Sequence, residues 1–87
     1  MNATNLNSAI GANAFARITV NPNVLSGQPI IRGTRITVRR VVEAAALYRD
    51  RAELLSEYPS LTDDDVNEAL RFAAMSLADE HMTLEAA

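Results

Sequence analysis

Cysteine, lysine and tryptophan are all missing from this chain, and His81 is its single histidine. Without cysteine there is no disulfide, no thiolate zinc site and no thiol nucleophile, a pattern that fits a reducing compartment. Without lysine there is no Schiff-base amine and no phosphate-gripping P-loop lysine. The span from Gly27 to Gly33-Thr34-Arg35 has the wrong spacing for a P-loop and lacks its Gly-Lys-Ser/Thr ending. His81 stands beside Asp79 and Glu80, where a solvated tail residue is a better reading than a metal ligand or an acid–base group. No apolar run approaches the roughly 20 residues that span a membrane. The N-terminus lacks the basic start and apolar core of a secretory signal. These absences predict a non-enzymatic cytoplasmic protein with no catalytic residue, no metal, no cofactor and no small-molecule substrate.

What is present is short and unevenly charged. Eighty-seven residues suit one domain, and a chain this small buries only about 60–65% of its unfolded surface. Its core is modest, and a second copy of itself would be a common source of extra buried area, so a homodimer is expected. Residues 1–42 carry Arg17, Arg32, Arg35, Arg39 and Arg40 and no acid; residues 43–87 carry three arginines and all eleven acids, within a net charge of −3. Such segregation suggests that one half meets an anion while the other keeps the molecule in solution. Arginine suits that task because its planar fork grips phosphate or carboxylate through two bonds.

Local patterns place the elements. Residues 1–15, rich in Asn, Ala and Ser without a sustained period, read as a flexible arm. Ile18 and Val20 alternate with Arg17 and Thr19, the period of a short strand. Asn21-Pro22-Asn23 and Ser26-Gly27-Gln28-Pro29 are turn signals. Ile30-Ile31 and Ile36, Val38 flank Arg32-Gly33-Thr34-Arg35, a strand or hairpin with Gly33 at a position needing positive φ. Thr37 caps a first helix over about 38–49, with Val38, Val41, Val42, Ala45, Ala46 and Tyr48 on one face. Asp50 caps a second over 51–58, with Leu54, Leu55 and Tyr58 inward. Pro59 breaks the chain by pushing Tyr58 out of helical geometry. Thr62 opens a third helix over 63–78, with a capping box to Asp65 and an apolar stripe of Val66, Leu70, Ala73, Ala74 and Leu77, flanked by Phe72 and Met75. Residues 79–87 are expected to fray. The fold expected for residues 16–78 is mainly α: a three-helix helix-turn-helix with a short N-terminal strand or hairpin. An ordinary helical bundle without a DNA role fits the same pattern.

At Ile18 to Ala74 the chain resembles a known family. Ile18-Thr19-Val20-Asn21-Pro22, followed by the run from Ser26-Gly27-Gln28-Pro29 through Ile30-Ile31-Arg32-Gly33-Thr34-Arg35 to Ile36-Thr37-Val38, looks like the prokaryotic domain of unknown function 433. The hallmark of that family is Gly-x-Pro-x-Ile-x-Gly-Thr-Arg-x-x-Val. The stretch Leu54 to Thr62, then Asp65-Val66 and Ala69-Leu70, is similar to its second motif. The resemblance covers about two thirds of the chain, and Ser26 departs from it by standing where the family often has glycine. It implies a homeodomain-like or winged-helix-like fold. It also implies a VapB-type antitoxin in a toxin–antitoxin module, paired with a PIN-like ribonuclease toxin. The expected function is to neutralise that toxin and to repress the antitoxin's own operon as a dimer. A stand-alone DNA-binding regulator, or an interaction module that binds no DNA, is the alternative.

Pro29, Gly33 and Thr34 shape the loop from which Arg32 and Arg35 project, with Arg39 and Arg40 following on the first helical turns. Three uses of these arginines stay open: contacts to DNA phosphates, insertion into the acidic metal site of a PIN-like nuclease, or structural pairing with Glu43, Glu57 or another acid. Arg35 is the strongest structural candidate. Asp63, Asp64 and Asp65 read as helix-start chemistry rather than as a cation site, because consecutive helical residues point about 100° apart. They also oppose the standard docking pose, which brings the start of the second helix of the motif to the major groove. A toxin surface that normally holds RNA is a second candidate partner for these acids.

Overall fold

The structure, a computed structural model, describes residues 15–78. Residues 1–14 of the expected arm over 1–15, and the tail over residues 79–87 with His81, lie outside the described residues. In chain order come strand β1 (Ile18–Thr19), a single 3-10 turn (Leu25–Gly27), strand β2 (Ile30–Ile31), and helices α1 (Val38–Leu47), α2 (Arg51–Glu57) and α3 (Asp63–Ala78). The fold is mainly α, three helices beside a two-stranded antiparallel sheet, as the sequence pattern predicts. No helix among the described residues is long and apolar enough to cross a membrane.

The sheet aligns Ile18 with Ile31 and Thr19 with Ile30. β1 stops after two residues, so Val20, predicted to share an inward face with Ile18, is 57% exposed. Asn21 ends it by accepting from Asn23 N–H through its side chain (2.9 Å) and from Val24 N–H through its carbonyl (2.9 Å). The chain then passes through three left-handed residues in succession: Leu25 (φ 50°), Ser26 (φ 59°) and Gly27 (φ 77°). An L-residue there costs about 1–2 kcal/mol, and glycine's extra freedom in the unfolded chain offsets about half of that gain on substitution. Ser26→Gly is therefore expected to stabilise the fold by about 0.5–1 kcal/mol. A urea midpoint that stays put or falls would show that the turn holds no such strain.

The second loop is pinned by Thr34. Its hydroxyl donates to Ile31 O (2.8 Å) and accepts from Ile36 N–H (2.9 Å), and its own N–H reaches Ile31 O (3.0 Å). Gly33 takes φ +80° as predicted. Ile31 N–H to Ile36 O and Val38 N–H to Pro29 O, both 2.9 Å, close this loop onto the start of α1.

Each helix starts on the cap its sequence specifies. Thr37 Oγ1 accepts from Arg40 N–H (3.0 Å), and Asp50 Oδ1 from Ala52 N–H (3.0 Å). At α3 the capping box is complete: Thr62 Oγ1 accepts from Asp65 N–H (3.1 Å) while Asp65 Oδ2 accepts from Thr62 N–H (2.9 Å). Tyr58, before Pro59, leaves helical geometry at φ −125°, ψ 74°. The break between α2 and α3 spans residues 58–62, one residue longer than the helix bounds read from sequence, because Tyr58 caps α2 rather than continuing it.

The core joins Ile18 and Ile31 of the sheet to Val38, Val41 and Ala44 of α1, Leu54 of α2, Leu61, and Val66 and Ala69 of α3. α1 packs chiefly against α3. The buried face of α1 centres on Val41 and takes in Ala44, whereas Val42 and Ala45 are half-buried and Ala46 is exposed. On α3 the buried positions include Ala69 but not Ala74 or Leu77, which the sequence stripe had included; Leu77 is 58% exposed. The packed region also begins earlier than expected. Phe15, read as part of the arm, stacks edge-on against Phe72 at 5.2 Å, and Arg71 lies 5.7 Å over its ring.

Candidate anion-binding surface

The four candidate arginines do not form one patch. Arg32 turns back, its Nε donating to Ala16 O (2.8 Å), and lines a recess with Arg17, Asp65 and Glu68. Arg35 and Arg40 instead share a recess of about 240 Å³ with Leu25, Ile36, Thr37 and Tyr58, a wall that contains no acid. Arg39, on the same turn as Arg40, lines a neighbouring recess with Arg40 and Glu43. Against these three guanidiniums the nearby helix offers one carboxylate: Glu43 lies 3.3 Å from Arg39 Nε and 3.9 Å from Arg40 Nε. Positive charge is left over. Arg35, the favoured structural candidate, has no hydrogen bond or ion pair among the described residues; the loop beside it is held by Thr34 and needs nothing from the guanidinium.

This surplus sits at the start of a helix. The first turn of α1 contains no acid, and its N–H groups present the positive end of the helix dipole to Arg39 and Arg40. Cations there cost about 0.3–1 kcal/mol each, so the arrangement is locally unfavourable. At the other end of α1, burial raises the Tyr48 hydroxyl above its usual range, with Glu57, Tyr58 and Glu53 adding to the effect. It remains a neutral donor at pH 7.

The acids in the first turns of α3 are each paired with an arginine of the same chain, and two of them are buried. Asp65 is buried; besides its capping role it accepts from Arg17 Nη1 at 3.2 Å. Glu68, also buried, takes the Arg17 backbone N–H at 2.6 Å and lies 3.8 Å from Arg17 Nε. Asp64 is 3.5 Å from Arg17 Nη2. Asp63 is held by Arg51 Nη1 at 2.6 Å, a guanidinium that also reaches Asn67 Oδ1 at 3.4 Å. Of the three candidate toxin-facing acids, Asp65 is turned into the fold, whereas Asp63 and Asp64 remain exposed. The anchor of this network, Arg17, was counted in the sequence only as one of the N-terminal cations. Its partners lie 48 and 51 residues away, and no local pattern points to them. Among the described residues no group of three or more His, Asp or Glu side chains converges as a metal site.

The geometry has relatives. A DUF433 member protein from Anabaena variabilis ATCC 29413, known from its crystal structure, matches with a TM-score of 0.65 and 27% sequence identity, over 91% of this chain and 80% of that one. None of the curated proteins matches the chain. The profile of the family described as Protein of unknown function (DUF433) matches residues 18–73, well over half of the sequence and spanning both strands, α1, α2 and most of α3. The chain belongs to the DUF433 family.

Proposed function

We propose that this protein is a binding module rather than an enzyme: an antitoxin that neutralises a PIN-like ribonuclease toxin and binds its own operator DNA. The observation that carries the reading is the cluster of Arg35, Arg39 and Arg40 around the N-terminus of α1, served by the single carboxylate of Glu43. Both partners offer what that surface lacks, phosphates along a duplex in one case and the metal-binding carboxylates of a nuclease in the other. The toxin half of the reading rests on what the resemblance of the Gly27-to-Val38 motif implies.

The DNA contact does not use α3 in the standard pose. With Asp63 and Asp64 exposed at its start, α3 would set carboxylates against phosphates. The surface around α1 is the reader of the backbone instead. Labelled DNA from the upstream region of the gene, titrated beside a scrambled duplex at two salt concentrations, tests this. Each phosphate contact contributes about 0.9 to the slope of log affinity against log salt. Arg35→Ala combined with Arg40→Ala is expected to flatten that slope by about 2. An unchanged slope removes these arginines from the interface. The toxin half is tested separately, by adding the protein to the nuclease encoded beside it; RNA cleavage that continues at excess protein overturns it. Specific DNA binding without inhibition would leave a stand-alone regulator. With Asp65 and Glu68 buried, α3 presents only Asp63 and Asp64 at its start, which weakens charge mimicry of RNA by α3.

A further inference from the structure

The apolar face of α3 outruns its cover. α3 has 16 residues and α1 has 10, so at 1.5 Å per residue α3 is longer by about 9 Å. Val66 and Ala69 are fully buried under α1, whereas Leu77 on the same side of the helix is 58% exposed. Where the last turns of α3 pass the first turns of α1, a groove of about 330 Å³ opens, walled by Pro29, Val38, Val42, Phe72, Ala73 and Leu77. Among the described residues its charged groups are on one lip: Arg39 and Glu43 of α1, with side chains 77% and 55% exposed. The α3 lip contributes the neutral Ser76.

We propose that a second copy of this chain fills the groove, making the protein a two-fold homodimer with α1 packed antiparallel on the partner's α1. The charge pattern selects this occupant. A two-fold interface sets residue i of one protomer against j of its partner, and j against i. Helices crossing at the level of Val41 satisfy that rule with the residues present, because Arg39 and Glu43 each lie two positions from the crossing. Arg39 of each protomer then meets the partner's Glu43, and Val42 enters the partner's groove at the centre. Apolar anchors lie inside and two reciprocal ion pairs lie on the rim, the anatomy of a specific interface. A neutral apolar segment would fill the same groove but leave the lip charges with no partner beyond each other. Dimerisation in this way engages Arg39 with the partner's Glu43, leaves Arg35 and Arg40 for the proposed anion contact, and carries two copies of the Arg35–Arg40 recess on one assembly.

Sedimentation of the full chain across a concentration series, without DNA or any other protein, tests the proposal. The wild type is expected to move from the 9.4 kDa monomer to twice that mass. Leu77→Glu changes an exposed position, so its circular dichroism and melting should match the wild type while dimer dissociation rises about 30-fold or more. Arg39→Glu alone and Glu43→Arg alone each set like charges across the two-fold axis and should weaken the dimer about tenfold. The double reversal restores opposite charges and is expected to restore the dimer, an outcome that a merely local role of the helical pair would not produce. A monomer at every concentration overturns the proposal and leaves the groove to a different protein. A dimer untouched by Leu77→Glu, or not rescued by the double reversal, overturns it as well. Sedimentation without DNA reads the dimer alone, and the salt-slope test changes Arg35 and Arg40 rather than Arg39, so the two readings fail separately.

Discussion

Leu54→Ala is expected to lower the unfolding free energy by about 2–5 kcal/mol. Leu54 has no exposed surface, and it is the buried residue through which α2 joins the core shared by α1, α3 and the sheet. Val41 and Val66 in the same cluster are held on two longer helices, so the vacated space cannot easily collapse and the cavity cost adds to the lost transfer energy. A domain of this size draws on a total of about 5–15 kcal/mol, and each kcal/mol moves the melting point by about 4–8 °C. The variant should therefore melt at least about 10 °C lower. Leu47→Ala, at a site 72% exposed, should stay within about 0.5 kcal/mol of the wild type. Urea unfolding followed by circular dichroism compares the two; equal losses would mean that α2 is not anchored through Leu54.

Arg17→Ala is the second large effect, and its cause is electrostatic. The guanidinium is the shared cation of Asp65 and Glu68, whose side chains are only 11% and 8% exposed. Removing one partner of a fully buried ion pair costs about 3–5 kcal/mol, because the remaining charge is stranded away from water. Here the Arg17 side chain is 44% exposed, so solvent already screens part of the interaction and a loss of about 2 kcal/mol is expected. The Arg17 N–H bond to Glu68 belongs to the backbone and persists in the variant. Arg17→Lys should recover part of the loss, since the charge returns without the fork that reaches two carboxylates at once. Asp64→Asn removes only an exposed partner, 74% accessible, and should cost less than about 0.5 kcal/mol. A double-mutant cycle of Arg17→Ala with Glu68→Gln measures the coupling directly; a value near zero would show that the network adds nothing to the fold.

The Arg17 network also explains why the charge asymmetry of the sequence is a poor guide to the surface. The acids at the start of α3 look like a solvent-facing or partner-facing run, yet Asp65 and Glu68 are buried and Asp63 is paired with Arg51. The N-terminal arginines look like one basic segment, yet Arg17 and Arg32 face the α3 acids while Arg35, Arg39 and Arg40 gather elsewhere. The net charge available to a partner is what survives this internal pairing. That remainder is positive at the start of α1.

Local chemistry was legible in the residues. Thr37, Asp50 and the Thr62–Asp65 box each act within three residues of themselves, and Gly33 meets a backbone demand that its own loop creates. Helix α2 and its inward Leu54 followed from a short cap-to-proline interval. Periodicity was less decisive on α1 and α3, where several small apolar residues fit more than one face. The choice of Ala44 over Ala46, and of Ala69 over Ala74, was made by what the opposite helix supplied.

By itself, then, the sequence determined where each helix begins, because caps act over a few bonds at energies independent of the rest of the chain. It also carried the two motifs that mark the family. The tertiary structure alone decided which charges are spent inside and which remain for a partner, and how far along α3 the apolar stripe is covered. Those outcomes depend on pairs some fifty residues apart, such as Arg17 with Glu68, whose meeting is set by how α1, α3 and the sheet pack together.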